Sequence, residues 1–234
     1  MRKAPFERFN PGYVYKLDDV HSLDVSITFV GKVTSGDSLV EMIRCLRPIS
    51  SSSEVEFEEN RIKAGDIKLM QQFIYNFWAA RNEQNPEGAW LAYHEQVVAV
   101  NNEFGSIGLK GYQTDRGRVY LQYGPPDIMT PVVPEPSSYP YEIWQYYTIR
   151  PNPNVSPVNQ SDITTQTNKK FVFADFDLVT NNYQLIHSDA RGEIYDENWQ
   201  MRLEKRDTPS NNLDQQTGNP MYGGNAGDLY NDPH

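Results

Sequence analysis

Six carboxylates, Asp115, Asp127, Glu142, Asp175, Asp177 and Glu193, are spread over the chain from residue 115 to residue 193. Any two of them brought together by folding would make a general acid/base pair of the kind that hydrolyses glycosidic bonds. Their separation in space is not written in the sequence, so the pair is a condition on the fold. Asp175-Phe176-Asp177 would put two carboxylates on one face of a strand, an arrangement open to a cation. The run lacks the further oxygen ligands of a calcium loop, and solvated strand-edge acids are the expectation. His187-Ser188-Asp189 has the letters of a hydrolase triad, but neighbours on a strand point to opposite faces and cannot pass a proton in that order. His187 is therefore expected to be a hydrogen-bonded structural residue. His94 has no second histidine at metal-binding spacing, and neither a phosphate-binding glycine loop nor a Gly-x-Ser-x-Gly elbow occurs. No catalytic residue, metal ligand or cofactor is assigned.

The densest concentration of special residues is Gly111-Tyr112-Gln113-Thr114-Asp115-Arg116-Gly117-Arg118, followed by Gly124-Pro125-Pro126-Asp127. The glycines permit backbone conformations barred to other residues, Thr114 and Asp115 can cap a turn, and either arginine can pair with a nearby carboxylate. Pro125 and Pro126 end the element before them and fix the exit of Asp127. The unit is read first as the organiser of a helix-to-sheet junction. The residues assigned to a binding surface at the motif are Tyr112, Thr114, Asp115, Arg116, Arg118, Asp127, Glu142 and Trp144. Tyr139, Tyr141, Trp144, Tyr146 and Tyr147 cluster nearby, and strand alternation separates Trp144 and Tyr146 from Tyr141, Ile143 and Tyr147. One set is expected in the core; core or covering-loop contact is the leading expectation for the other, with an exposed platform for a protein or a glycan as the alternative.

The elements that position these residues follow from periodicity. Ile67, Met70, Phe73, Ile74, Phe77 and Trp78 recur at helical spacing behind a capping Asp66. A second helix opens at Asn85-Pro86 and lines up Trp90, Tyr93, Val97, Val100 and Phe104. The short Asn82–Asn85 connection implies antiparallel neighbours. Strands are predicted at Val119–Tyr123, Tyr141–Ile149, Phe171–Phe176 and Tyr183–His187, with Asn181-Asn182 as a tight turn. Arg150–Asn168 carries three prolines and reads as a long excursion, and residues 190–206 as a last helix anchored by Trp199. Val25–Val30 and Leu39–Leu46 read as strands of an N-terminal β unit, and Ser50–Ser53 as a linker. The whole is an α+β protein: an antiparallel helix pair followed by a small antiparallel sheet, with an N-terminal β remnant. Three parts are expected: residues 1–58, an α+β domain at 59–206, and a Gly/Asn-rich tail at 207–234, pinned through Tyr222, Leu229 and Tyr230.

The 234 residues carry a formal net charge of −10, which repels phosphate polymers and argues by charge alone against nucleic acid as a partner. Lys110, Arg116 and Arg118 are too small a patch to reverse that. Cys45 is the single cysteine, so no intrachain disulfide forms. No stretch reaches the length of a membrane helix, and Met1–Glu7 lacks the apolar core of a signal peptide.

The ordered motifs Gly111–Arg118, Gly124–Asp127, Tyr141–Trp144, His187-Ser188 and Gly192-Glu193 resemble the GWxTD domain family of bacterial proteins, best known from Bacteroidetes, from about residue 55 onward. Tyr112 stands where the family name has Trp, which keeps an aromatic body but removes an indole donor. The resemblance implies an exported envelope protein, periplasmic or outer-membrane-associated, with an N-terminal β domain and no established enzymatic activity. The order of elements is also similar, at the level of fold alone, to small BamE-type outer-membrane lipoproteins. A noncatalytic envelope scaffold or protein-interaction module is ranked first, with an envelope protein as partner. A carbohydrate-binding module is ranked second, and a carboxylate-dependent hydrolase third.

Overall fold

The computed structural model describes residues 35–132, 138–155, 164–204 and 226–231. It is α+β, with seven α-helices and one four-stranded antiparallel sheet among the described residues. The chain forms two compact units, residues 1–97 with 153–158, and residues 98–152 with 159–234. The predicted strand Val25–Val30 and the anchor Tyr222 lie outside the described residues.

In the first unit, α1 (Gly36–Arg44) replaces the strand expected at Leu39–Leu46. Leu39, Ile43 and Leu46 are fully buried, and their spacing of four and three is that of a helix face. The β-branched and apolar content of the stretch hid that period. A 3-10 turn at Arg47–Ile49 leads to α2 (Ser52–Ala64), so Ser50–Ser53 is not a linker. Ser51 instead closes a capping box, its hydroxyl accepting from the Glu54 N–H while the Glu54 carboxylate accepts from the Ser51 N–H. Helix α3 (Ile67–Arg81) starts at Asp66 as predicted, and α4 (Pro86–Phe104) starts with Asn85 accepting from the Gly88 N–H. The Trp78 ring meets Trp90 and Tyr93, the junction at which the two apolar stripes interlock.

A polar centre lies inside this unit. Arg81 is buried and donates to the Glu54 carboxylate at 3.1 Å, to the carbonyls of Phe77 and Ile49, and from Nε to Asn154. Burial lowers its pKa, and Glu54 works against that shift. Glu58 is fully buried beside it; Oε1 lies 2.7 Å from the Ser50 hydroxyl, and Oε2 has no partner among the described residues.

In the second unit a 3-10 turn at Gly111–Gln113 leads into α5 (Asp115–Tyr123). This helix replaces the strand expected at Val119–Tyr123. Val119 and Leu121 imitate alternation, but Arg116 and Gly117 are buried as well, so the element is covered on several sides and alternation is not diagnostic. The sheet is a meander, β1 (Ile128–Val132), β2 (Tyr141–Ile149), β3 (Gln166–Ala174) and β4 (Gln184–Ser188), in the order β1-β2-β3-β4. Gln166–Asn168, assigned to the proline-rich excursion by composition, belongs to β3. Of the predicted 190–206 helix the described residues contain α6 (Trp199–Leu203), and α7 (Ala226–Asn231) lies in the tail.

Both faces of the sheet are covered. On one, Trp144 and Tyr146 meet Phe173 and Phe171, with Phe104 and Tyr123 packed over them. On the other, Tyr141, Ile143, Val172 and Ile186 pack with Trp199, Leu203 and Ala226. The predicted alternation therefore holds, and both aromatic sets are covered, as their burial habits favoured over an exposed platform; of the cluster only Tyr147 is largely exposed. Between Val172 and Phe173 the register with β4 slips from His187 to Leu185, leaving Ile186 as the extra residue of a bulge. The bulge turns Ile186 and His187 toward the same face, where both meet the Trp199 cluster.

Candidate functional site

The Gly111–Arg118 segment folds back on the end of α4. Neither Gly111 nor Gly117 has a positive φ, so conformational freedom is not what they supply. A Cβ on Gly111 would land on the Val100 carbonyl, and one on Gly117 on the Gly111 carbonyl. Both glycines are required by close backbone approach, which corrects the reason inferred from sequence. Tyr112 is buried, and its N–H donates to Asn101 Oδ1 at 3.2 Å. Thr114 caps α5, donating its hydroxyl proton to the Gly111 carbonyl and accepting from the Gly117 N–H at 3.1 Å. Asp115, in the first turn, accepts from the Leu185 N–H at 2.8 Å and so ties the helix start to β4.

The two arginines point to different places. Arg116 is buried, donating from Nη1 to Glu142 Oε2 at 3.2 Å and from Nη2 to the Asn181 carbonyl at 3.1 Å. Its guanidinium also lies 4.2 Å from the Tyr183 ring centre, a cation–π contact. Asn181 adopts a φ of +58°, the left-handed turn its residue type suggested. Arg118 grips Glu193 in a two-pronged contact at 2.9 and 2.8 Å, and the Tyr123 hydroxyl donates to the same carboxylate at 2.7 Å. Burial opposes the Arg118 charge, but Glu193 more than offsets it and raises its pKa. Burial and then Glu193 push the Tyr123 phenol well above its usual value.

The remaining candidates serve the backbone. Asp127 is exposed and accepts from the Tyr147 N–H at 2.6 Å, fixing the exit that Pro125 and Pro126 prepare. Trp144 is fully buried against Phe104 and Phe173, so it offers no binding surface to a partner. Asp175 and Asp177 lie beyond the end of β3 rather than on one strand face. They form successive turns: Asp175 accepts from the N–H groups of Asp177 and Leu178, and Asp177 from those of Val179 and Thr180. The hydrogen bond from the Thr180 hydroxyl, then those amides, lower the Asp177 pKa to about 2, whereas burial raises that of Asp175. The six acids are thus distributed over separate backbone and arginine partners. The structure brings Arg116 to Glu142 and Arg118 to Glu193 but joins no two of the acids named as a hydrolytic pair, apart from these adjoining turns.

His187 is a hydrogen-bonded structural residue. Its Nδ1 accepts from the Asp196 N–H at 3.2 Å and its Nε2 lies 3.1 Å from the Tyr230 hydroxyl, while Trp199 stacks on the ring. Burial lowers its pKa. Sequence reasoning missed this aromatic cluster because the residues that complete it, Tyr195, Trp199 and Tyr230, come from separate segments. Asn101 and Tyr183 were missed for the same reason; no local motif marks either residue.

No helix of the described residues is long and apolar enough to cross a membrane. No curated protein and no solved structure matches the chain, and the likeness to BamE-type lipoproteins gains no support. The family model of the GWxTD domain matches residues 13–206, so the chain, with Tyr112 at the position of the signature Trp, belongs to the GWxTD domain family.

Proposed function

We propose that the chain is a noncatalytic protein-interaction or scaffold module of the cell envelope, periplasmic or associated with the outer membrane. The observation that carries the reading is the internal engagement of the motif: Thr114, Asp115, Arg116 and Arg118 are each bound to other parts of the same unit. Groups held this way build a rigid platform and are not poised toward a substrate. The surface offered to a partner is aliphatic. Ile107, Leu178 and Val179 are 71%, 53% and 74% exposed, and the Ile107 N–H donates to the Thr180 carbonyl, bringing the two loops together. Leu178 holds a φ of +59°, a strained conformation for a side-chain-bearing residue, fixed by the Asp175 and Asp177 turns. Rigid display of apolar side chains suits a protein partner better than a glycan, which requires exposed rings.

The test is photo-crosslinking in the native host with a benzophenone residue at Leu178 or Val179, and at the exposed Lys63 as control. A discrete envelope protein captured from the two loop positions and not from the control supports the module. Absence of any adduct, with glycan binding or hydrolysis by the purified chain, overturns it.

A further inference from the structure

A six-residue helix does not form alone in water, so the conformation of α7 is imposed by its seat on the sheet. Ala226 is fully buried among Tyr141, Val172 and Trp199, and Leu229 and Tyr230 pack against that cluster. Two polar contacts fix the register. Lys170 donates from Nζ to the carbonyls of Tyr230 and Asn231, satisfying the helix's C-terminal end, and lies over the Tyr230 ring. The His187 Nδ1 is occupied as an acceptor, so Nε2 carries the ring proton and donates it to the Tyr230 hydroxyl. Residues 205–225, rich in Asn, Gln, Gly and Pro, connect this helix to the rest of the chain. Because this helix belongs to the same chain, its local concentration at the seat exceeds that of a free helix, so the seat holds its own helix even with weak intrinsic affinity.

We propose that this seat is a helix-binding site, occupied in cis by α7, that accepts in trans a partner helix of the same chemistry. That partner carries a small residue followed three and four positions later by Leu and Tyr, with its last carbonyls over Lys170. The proposal deepens the interaction-module reading and rests on it for the existence of a partner. Peptide binding in vitro needs no cellular partner, so the two ideas can fail separately.

The experiment uses the full chain carrying Leu229→Ala and Tyr230→Ala, whose own helix has lost its anchors, and a fluorescein-labelled peptide of residues 222–234. Anisotropy is expected to show binding to the variant, and binding to the unaltered chain at least about tenfold weaker because its seat is filled. A peptide with the same two alanines is expected to bind about tenfold or more weakly. Equal binding to both proteins, or none to a folded variant, overturns the proposal. If the variant does not fold, native-state hydrogen exchange of the unaltered chain decides. Exchange of α7 amides while β3 and β4 stay protected supports a separable helix, and exchange of all three together overturns it.

Discussion

Glu58 carries the clearest consequence for a single side chain. Its Oε1 and the Leu46 carbonyl both lie within hydrogen-bond distance of the Ser50 hydroxyl, which has one proton to give. That single proton cannot serve both acceptors fully, which leaves the buried Glu58 carboxylate poorly compensated for its lost hydration. Burial accordingly raises its pKa to about 7, against the pull of Ser50, Arg47 and Arg81 and with the help of Glu54. The folded state thus holds a proton that the unfolded chain releases above its ordinary glutamate value. Stability should fall as pH rises from about 4.5 to about 7 and then level off, by roughly 3 kcal/mol from this group. Glu58→Gln should flatten that part of a urea-melt pH series; an unchanged slope would assign the effect elsewhere. At Arg116, Glu142→Gln leaves a buried guanidinium without its counter-charge and should cost about 3 kcal/mol or more in the same melts.

Among the elements, α5 is held by a cap and by contact distances that tolerate no extra atoms. Thr114→Ala should remove about 1 to 2 kcal/mol by freeing the Gly117 N–H. Gly117→Ala should cost more, beyond the usual 1–3 kcal/mol of overpacking, because the obstacle is the Gly111 backbone and not a side chain that can rotate away. Equal melting temperatures for the two variants would count against the close-approach account. The apolar stripes of α3 and α4 and strands β2 to β4 are legible in the sequence because each has one strong period and clear punctuation. Helices α1 and α5 are not, since short elements with few exposed positions show apolar runs that fit either period. The Arg116–Glu142 and Arg118–Glu193 pairs lie outside sequence reasoning for another reason: their partners are brought together only by the meander and the loop after β4.

For the whole molecule, the sheet with both faces covered ties stability in the second unit to the tail. His187 has a pKa below its unfolded value of about 6.5, so acidification from that point down through the lowered value should weaken the unit. Protonation would also turn Nδ1 into a donor facing the Asp196 N–H, loosening the ring that holds Tyr230. Fluorescence of Trp199, stacked on His187, should report that transition, and His187→Phe should abolish it. The sequence indicated the anchors Leu229 and Tyr230 by composition alone, since a tail poor in apolar residues has few others to offer.

Among the described residues strand β4 ends the sheet and its outward amides meet no fifth strand, yet Leu185 donates to Asp115 and Ser188 to the Ile194 carbonyl. The acid of the motif thereby blunts an open edge that would otherwise template another chain. Asp115→Ala should leave the fold largely formed but bare that edge. The variant should then lose solubility on concentration and bind amyloid dyes sooner than the unaltered protein, making self-association, rather than lost activity, the first symptom of a broken motif.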